Sequence, residues 1–197
     1  MIRMPYDLTE EQKELIAIAR QIAEEKIKSI RELYDEEQKF PKEIVEIIGR
    51  SDLYRVFIPA EYEGLGMGVF EMSLITEELS RVCGGIALCY AGSALGAYPI
   101  ILFGNDEQKK KYLPDIASGK KLAAFALTEP EAGSDAGSVR VTAKKEGDYY
   151  ILNGTKQWIT NGGEAEILSV FANVDLERGI RGITCLLYTS DAADEED

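Results

Sequence analysis

The chain has 197 residues, 45% of them hydrophobic and 29% charged, which suits one large domain or two small ones and is too apolar for disorder. Its formal charge of −13 excludes the basic footprint that nucleic-acid binding needs. It has no histidine, which removes Ser-His-Asp and Cys-His catalysis, histidine-ligated haem and nearly every catalytic zinc site.

The N-terminus turns polar at Tyr6-Asp7, too early for a signal peptide. A first helix is predicted from Thr9, which has capping-box spacing to Gln12, with Leu15, Ile16, Ala19, Ile22, Ala23, Ile27 and Ile30 as its apolar stripe. A second starts at Pro41 and is expected to stop at Gly49. Gly64-Leu-Gly66-Met-Gly68 imitates a dinucleotide loop, but its third glycine comes one residue early and no βαβ pattern follows, so it reads as a tight interhelical turn. A third helix runs from Phe70 to Val82. The uncharged segment from Ile86 to Phe103 reaches the rough 18-residue length of a membrane span, yet Gly92, Ser93, Gly96 and Pro99 make a buried core helix the better reading. A fifth helix begins near Asn105 and ends by Gly119.

Near Leu122 the helical period gives way to short strands. Runs at 122–128, 138–144, 149–152, 156–160 and 166–173 are predicted strands, with another beginning at Arg181 and a hairpin turn expected at Asn153-Gly154. The fold class is α+β: an all-α bundle over 1–120, then a small antiparallel barrel or sandwich over 121–184. Cys83, Cys89 and Cys185 form no C-x-x-C, which makes a reducing, cytoplasmic setting the default expectation.

Two features carry candidate chemistry. Phe125-Ala-Leu-Thr-Glu-Pro-Glu-Ala-Gly-Ser-Asp135 takes a strand end into a turn whose amides and Ser134 hydroxyl could face an anion, or could simply cap an Asx-type turn. Gln157-Trp-Ile-Thr-Asn-Gly-Gly163 holds the single tryptophan, and strand alternation would put Trp158 and Thr160 on one face. That face could cover a planar heterocycle, or Trp158 could be a core residue.

Together these motifs resemble the N-terminal and middle domains of the flavin-dependent acyl-CoA dehydrogenases. Ala126-Leu-Thr-Glu-Pro-Glu-Ala-Gly-Ser-Asp-Ala-Gly-Ser138 fits that family's flavin motif and Trp158-Ile-Thr160 its second flavin segment. Pro59-Ala-Glu-Tyr-Glu-Gly-Leu-Gly66 is similar to its P-x-x-Y-G-G-x-G loop, with Glu63 in place of the first glycine. The resemblance implies noncovalent FAD held by Phe125, Ala126, Leu127, Thr128, Gly133, Ser134, Trp158, Ile159 and Thr160, with Ser134 also near the acyl-CoA. It implies α,β-dehydrogenation of an acyl-CoA in fatty-acid β-oxidation, an electron-transfer flavoprotein as acceptor, and a homotetramer or homodimer. The family's base is a glutamate of a C-terminal helical domain that this stretch of sequence does not include. No catalytic role therefore falls on Glu129, Glu131, Glu164 or Glu166, and the 197-residue chain alone is expected to be inactive. Flavin oxidases and monooxygenases of the same fold, or a noncatalytic flavin- or acyl-CoA-binding module, are the alternatives.

The resemblance stops at Thr184. Cys185 to Glu195 back-translates, with permitted codons throughout, into a transposon-end adapter used in preparing sequencing libraries. Residues 185–197 are accordingly expected to be a non-native tail that packs poorly, with the last strand ending near Thr184.

Overall fold

A computed structural model describes residues 7–189. Helix α1 (Glu10–Ile22) opens with the expected capping box: the Thr9 hydroxyl accepts from the Gln12 amide at 3.1 Å and the Gln12 carboxamide from the Thr9 amide at 2.9 Å. Its continuation is not one straight helix. A wider π-helical turn over Ala23–Ile27 keeps Ala23 and Ile27 inside, and a short helix α2 (Arg31–Glu36) follows, with Ile30 between them half-buried against the core.

Helix α3 (Lys42–Arg50) follows Pro41 and runs past Gly49. That glycine is there for a close approach rather than for termination, since a Cβ on it would lie 3.3 Å from the Gly119 Cα. A 3₁₀ turn over Leu53–Phe57 buries Leu53, Tyr54, Val56 and Phe57, and the glycine-rich segment folds back onto it through Leu65 N to Arg55 O at 2.7 Å and Met67 N to Val56 O at 3.0 Å. The interhelical-turn reading thus describes this segment. Helices α4 (Val69–Ser80), α5 (Gly84–Phe103) and α6 (Asp106–Ala117) complete the helical half. The carboxylate of Glu78 on α4 is buried, and Arg20 and Arg81 donate to it at 2.8 and 2.7 Å.

Helix α5 is long and apolar enough to cross a membrane, but 56% of its apolar stretch is buried against the rest of the fold, as in a core helix. Its small residues form the seam with the sheet. A Cβ on Gly96 would lie 2.6 Å from the Ala124 amide nitrogen, and one on Gly92 2.6 Å from the Thr160 methyl.

The five strands are β1 (Ala123–Ala126), β2 (Thr142–Glu146), β3 (Tyr149–Asn153), β4 (Ile167–Asn173) and β5 (Ile183–Thr189). They make one mixed sheet rather than the purely antiparallel barrel or sandwich expected. Strands β1 and β4 are parallel, with Ala124 opposite Leu168, while β2–β3 and β4–β5 are antiparallel. The physical reason is connectivity. A long excursion through residues 127–166 separates β1 from β4 and lets the chain return in the same direction.

Three expectations fail locally. The hairpin turn is Gly147-Asp148, with Gly147 at φ +61°, and Asn153-Gly154 instead ends β3. Residues 138–141 precede β2, and 156–160 form no strand at all. Strand β5 continues to Thr189, pairing Ser169 with Leu187 and Phe171 with Cys185, so it neither stops near Thr184 nor packs poorly over 185–189. Ile183-Thr-Cys-Leu-Leu-Tyr-Thr189 consists largely of strand-forming residues, and Leu187 packs on the main core. The rest of the proposed tail, 190–197, lies outside the described residues.

One hydrophobic core runs through both halves, from Ile22, Ile48 and Leu79 to Ala123, Ala124 and Ile167. A second, small cluster belongs to the sheet alone and centres on Val141, Ala143 and Ala172.

Candidate functional site

Strand β1 ends on Phe125 and Ala126, and Leu127 and Thr128 follow it. The chain then reverses tightly, with Glu129 N to Ala132 O at 3.0 Å and Ala132 N to Glu129 O at 3.2 Å. Gly133 and Ser134 follow on an exposed loop, and a Cβ on Gly133 would meet nothing within 4 Å. The Asp135 carboxylate accepts from the Ser138 hydroxyl, so the turn is capped from Ser138 rather than from Ser134.

The second segment, 155–163, is a loop pinned at both ends. At one end Gln157 N donates to Thr128 O at 3.0 Å, joining it to the first motif. At the other, the buried Asn161 carboxamide donates to Cys89 O at 2.9 Å and to Ser93 Oγ and Ala123 O at 3.3 Å, fixing it to α5 and β1. Between these anchors Trp158 and Asn161 take left-handed backbone conformations, φ +57° and +63°. This corrects the strand expectation, because period-2 alternation does not apply and Trp158 does not share a strand face with Thr160. The indole is 85% exposed, so Trp158 is not a core tryptophan.

Beside it lies a cavity of about 420 Å³ lined by Ala126, Trp158, Ile159, Leu168, Val170 and Tyr188, among others. Of the residues singled out in the sequence, Ala126, Trp158 and Ile159 come together on this cavity. Thr128 does not line it, but its carbonyl accepts from the amide of Gln157, which does. Phe125 turns elsewhere, its ring 4.8 Å from that of Phe171. Gly133, Ser134, Leu127 and Thr160 do not line the cavity, and Thr160 sits exposed beside Gly92 of α5.

Sequence reading missed the groups that hold the two segments together. Lys156 Nζ donates to Glu129 Oε1 at 2.7 Å and to Leu127 O at 2.8 Å; the Glu129 side chain is buried and that of Lys156 is 12% exposed. Burial pushes the Glu129 carboxyl up, but Lys156 and the amides of Arg140 and Val141 outweigh it and hold it below the usual glutamate range. The available signal was a lysine two residues before the tryptophan and a glutamate immediately after Thr128. The other acidic residues nearby also have structural partners: Glu131 pairs with Arg140, and Glu166 accepts from the Leu122 amide at 2.9 Å. Among the described residues no group of three His, Cys, Asp or Glu side chains is placed to hold a metal ion.

The model of the acyl-CoA dehydrogenase N-terminal domain matches residues 9–120, and that of the acyl-CoA dehydrogenase middle domain matches residues 124–195. A 3-(aryl)acrylate reductase of Clostridium sporogenes is 46% identical over 183 residues, covering 91% of this chain and 48% of the relative. The butyryl-CoA dehydrogenase structure from Megasphaera elsdenii superposes with a TM-score of 0.90 at 34% identity, covering 95% of this chain and 50% of that one. A chain in a structure described as the electron transferring flavoprotein of Acidaminococcus fermentans superposes equally well, TM-score 0.90 at 38% identity, with 95% and 50% covered. The chain thus spans about half the length of the relatives it matches.

Proposed function

The chain belongs to the acyl-CoA dehydrogenase family, and from that membership we propose that it forms the flavin-binding half of an FAD-dependent enzyme that dehydrogenates an acyl-CoA between its α and β carbons. The observation that carries this reading is an exposed indole beside an apolar cavity, joined through Gln157 to the Thr128 turn. These residues fit a flavin. The cavity suits a planar heterocycle, and the exposed Ser134 hydroxyl with the open Gly133 backbone offers neutral donors suited to a phosphate-bearing tail.

FAD, when bound, supplies the two-electron acceptor for the α,β-dehydrogenation. The chain's own residues bind and orient it: Ala126, Trp158 and Ile159 cover the ring, Thr128 and Thr160 offer hydrogen bonds, and Gly133 and Ser134 hold the tail. The catalytic base is a glutamate of the whole protein's C-terminal domain, and the acceptor an electron-transfer flavoprotein. The similarity to a 3-(aryl)acrylate reductase favours a second reading in which the same site runs in reverse and reduces a conjugated double bond.

Titration of FAD into the chain, followed by quenching of the single tryptophan, tests the cofactor site. Ser134→Ala is expected to weaken binding by about 1 kcal/mol or more. Thr160→Val is expected to shift the bound-flavin spectrum. Unchanged affinity and spectrum in both variants would remove Ser134 and Thr160 from the site.

A further inference from the structure

We propose that the buried Lys156–Glu129 ion pair is a positioning brace that fixes the Trp158 loop against the Thr128 turn, and so sets the geometry of the flavin site; the inference rests on the cofactor reading above. One carboxylate gathers three stretches of chain. Its Oε1 accepts from Lys156 Nζ at 2.7 Å and from the Val141 amide at 3.0 Å, and its Oε2 accepts from the Arg140 amide at 2.7 Å. Lys156 closes the figure by donating to Leu127 O at 2.8 Å, one residue before Thr128. The exit of β1, the entry to β2 and the start of the tryptophan loop therefore meet at one buried charge pair.

A buried ion pair is poor evidence of stability, because desolvation offsets much of the attraction, and its best-attested value is in specifying one arrangement. Here there is an arrangement in need of specifying. Two residues beyond Lys156, Trp158 holds φ +57° while its side chain is 85% exposed, so the indole has little packing to impose that backbone. A left-handed bulky residue persists only where its surroundings over-determine it. The surroundings present are the Lys156 brace, the Gln157–Thr128 bond and the Asn161 anchor.

Glu78 supplies the control. It too is a buried carboxylate, but the side chains it bonds, Arg20 and Arg81, are half exposed and belong to the helical half. The test uses the 197-residue chain, its Lys156→Met, Glu129→Gln and Lys156→Arg variants, and Glu78→Gln. Three quantities are read: the time-resolved anisotropy of Trp158, the exchange rate of the Gln157 amide, and the FAD dissociation constant. Lys156→Met and Glu129→Gln should add a fast component to the anisotropy decay, speed Gln157 exchange and raise the FAD constant about tenfold, as for one lost charge-assisted hydrogen bond. Lys156→Arg keeps a donor to Glu129 and should recover most of the effect, whereas Glu78→Gln should lower the unfolding midpoint and move none of the three.

Unchanged Trp158 anisotropy and Gln157 exchange in a folded Glu129→Gln variant overturn the brace, and that isosteric change decides the matter if Lys156→Met does not fold. If the unmodified chain takes up no FAD, the cofactor reading fails for this chain, while the anisotropy and exchange still judge the brace.

Discussion

The helical half and the sheet half are built on different terms. The helices supply most of the shared core, with Ile27 of the π-helical turn and Ile48, Leu79, Leu113 and Ile116 of α3, α4 and α6 fully buried. The sheet has three buried residues of its own in a separate cluster, and otherwise leans on α5 through β1 and β4. Yet the candidate site lies almost wholly in the sheet half, on loops with exposed tips. Regular packing provides the rigid wall, and irregular backbone pinned to it provides the surface that meets a ligand. The two jobs are divided along the α5–β1 seam.

That division can be broken at the seam itself. Gly96→Ala puts a Cβ 2.6 to 2.8 Å from backbone atoms of Ala124, which cannot swing aside as a side chain would. Overpacking of this kind destabilises by about 1–3 kcal/mol, only partly offset by alanine's better helix propensity, so this is the largest effect expected. Gly85→Ala on the same helix meets nothing within 4 Å and should be neutral or stabilising. Urea unfolding of both variants checks the contrast. Equal midpoints would mean that the seam yields and the two halves are more loosely joined than the distances imply.

Acid titration sharpens the comparison, because each half holds one buried carboxylate below the ordinary glutamate value of 4.5. In Glu78 the hydrogen bond from Arg20 leads, followed by the opposing push of burial and then the bond from Arg81; in Glu129 burial is the largest influence and is overcome by Lys156 and two amides. With the folded-state pKa depressed, the unfolded chain takes up protons first. The stabilisation is therefore present above the ordinary value and is lost as pH falls through the folded-state values. The urea midpoint should drop below about pH 4.3, with Glu78→Gln and Glu129→Gln each flattening part of that slope. Far-UV circular dichroism follows the helices and Trp158 emission follows the site loop. Coincident acid transitions mean that the shared core couples the halves, and an earlier Trp158 transition means that the sheet half opens alone.

The same contrast governs what the sequence disclosed. Period-3.6 stripes mark α1, α3 and α4, an uncharged apolar run marks α5, and helix ends are signalled by residues such as Thr9, Pro41 and Asn105. The strands β1 and β4 are visible as apolar runs, and only the start of β5 is. The segment 156–160 misleads, since Lys-Gln-Trp-Ile-Thr alternates like a strand, while its backbone is set by tertiary bonds to Thr128, Glu129 and α5. The motif residues Ala126, Thr128 and Trp158 are legible as types. The pair that holds them, Lys156 and Glu129, lies 27 residues apart, and no local pattern announces a contact of that range. Strand β5 shows the converse: the ladder continues past Thr184, where the resemblance is expected to stop, and the middle-domain match itself extends to residue 195.

The smallest effect concerns Glu63, where the chain departs from the glycine that the loop pattern carries. Its backbone sits at φ +66°, in the left-handed region, with the side chain exposed, and the Arg55 guanidinium donates to its carbonyl. For an L-residue this conformation costs roughly 1–2 kcal/mol, whereas glycine adopts it freely. Glycine also gains about 0.5–1 kcal/mol of freedom in the unfolded chain, which works against folding. The bond from Arg55 is to the backbone and survives the change. Glu63→Gly should therefore stabilise the chain by a net of about 0.5 kcal/mol, seen as a raised urea midpoint at unchanged slope. Glu63→Ala separates this cause from charge, since alanine keeps the Cβ but removes one negative charge from a chain at −13. If backbone strain is the cause, alanine gains nothing; if alanine matches glycine, the benefit came from relieved repulsion and the left-handed backbone at Glu63 carries no strain.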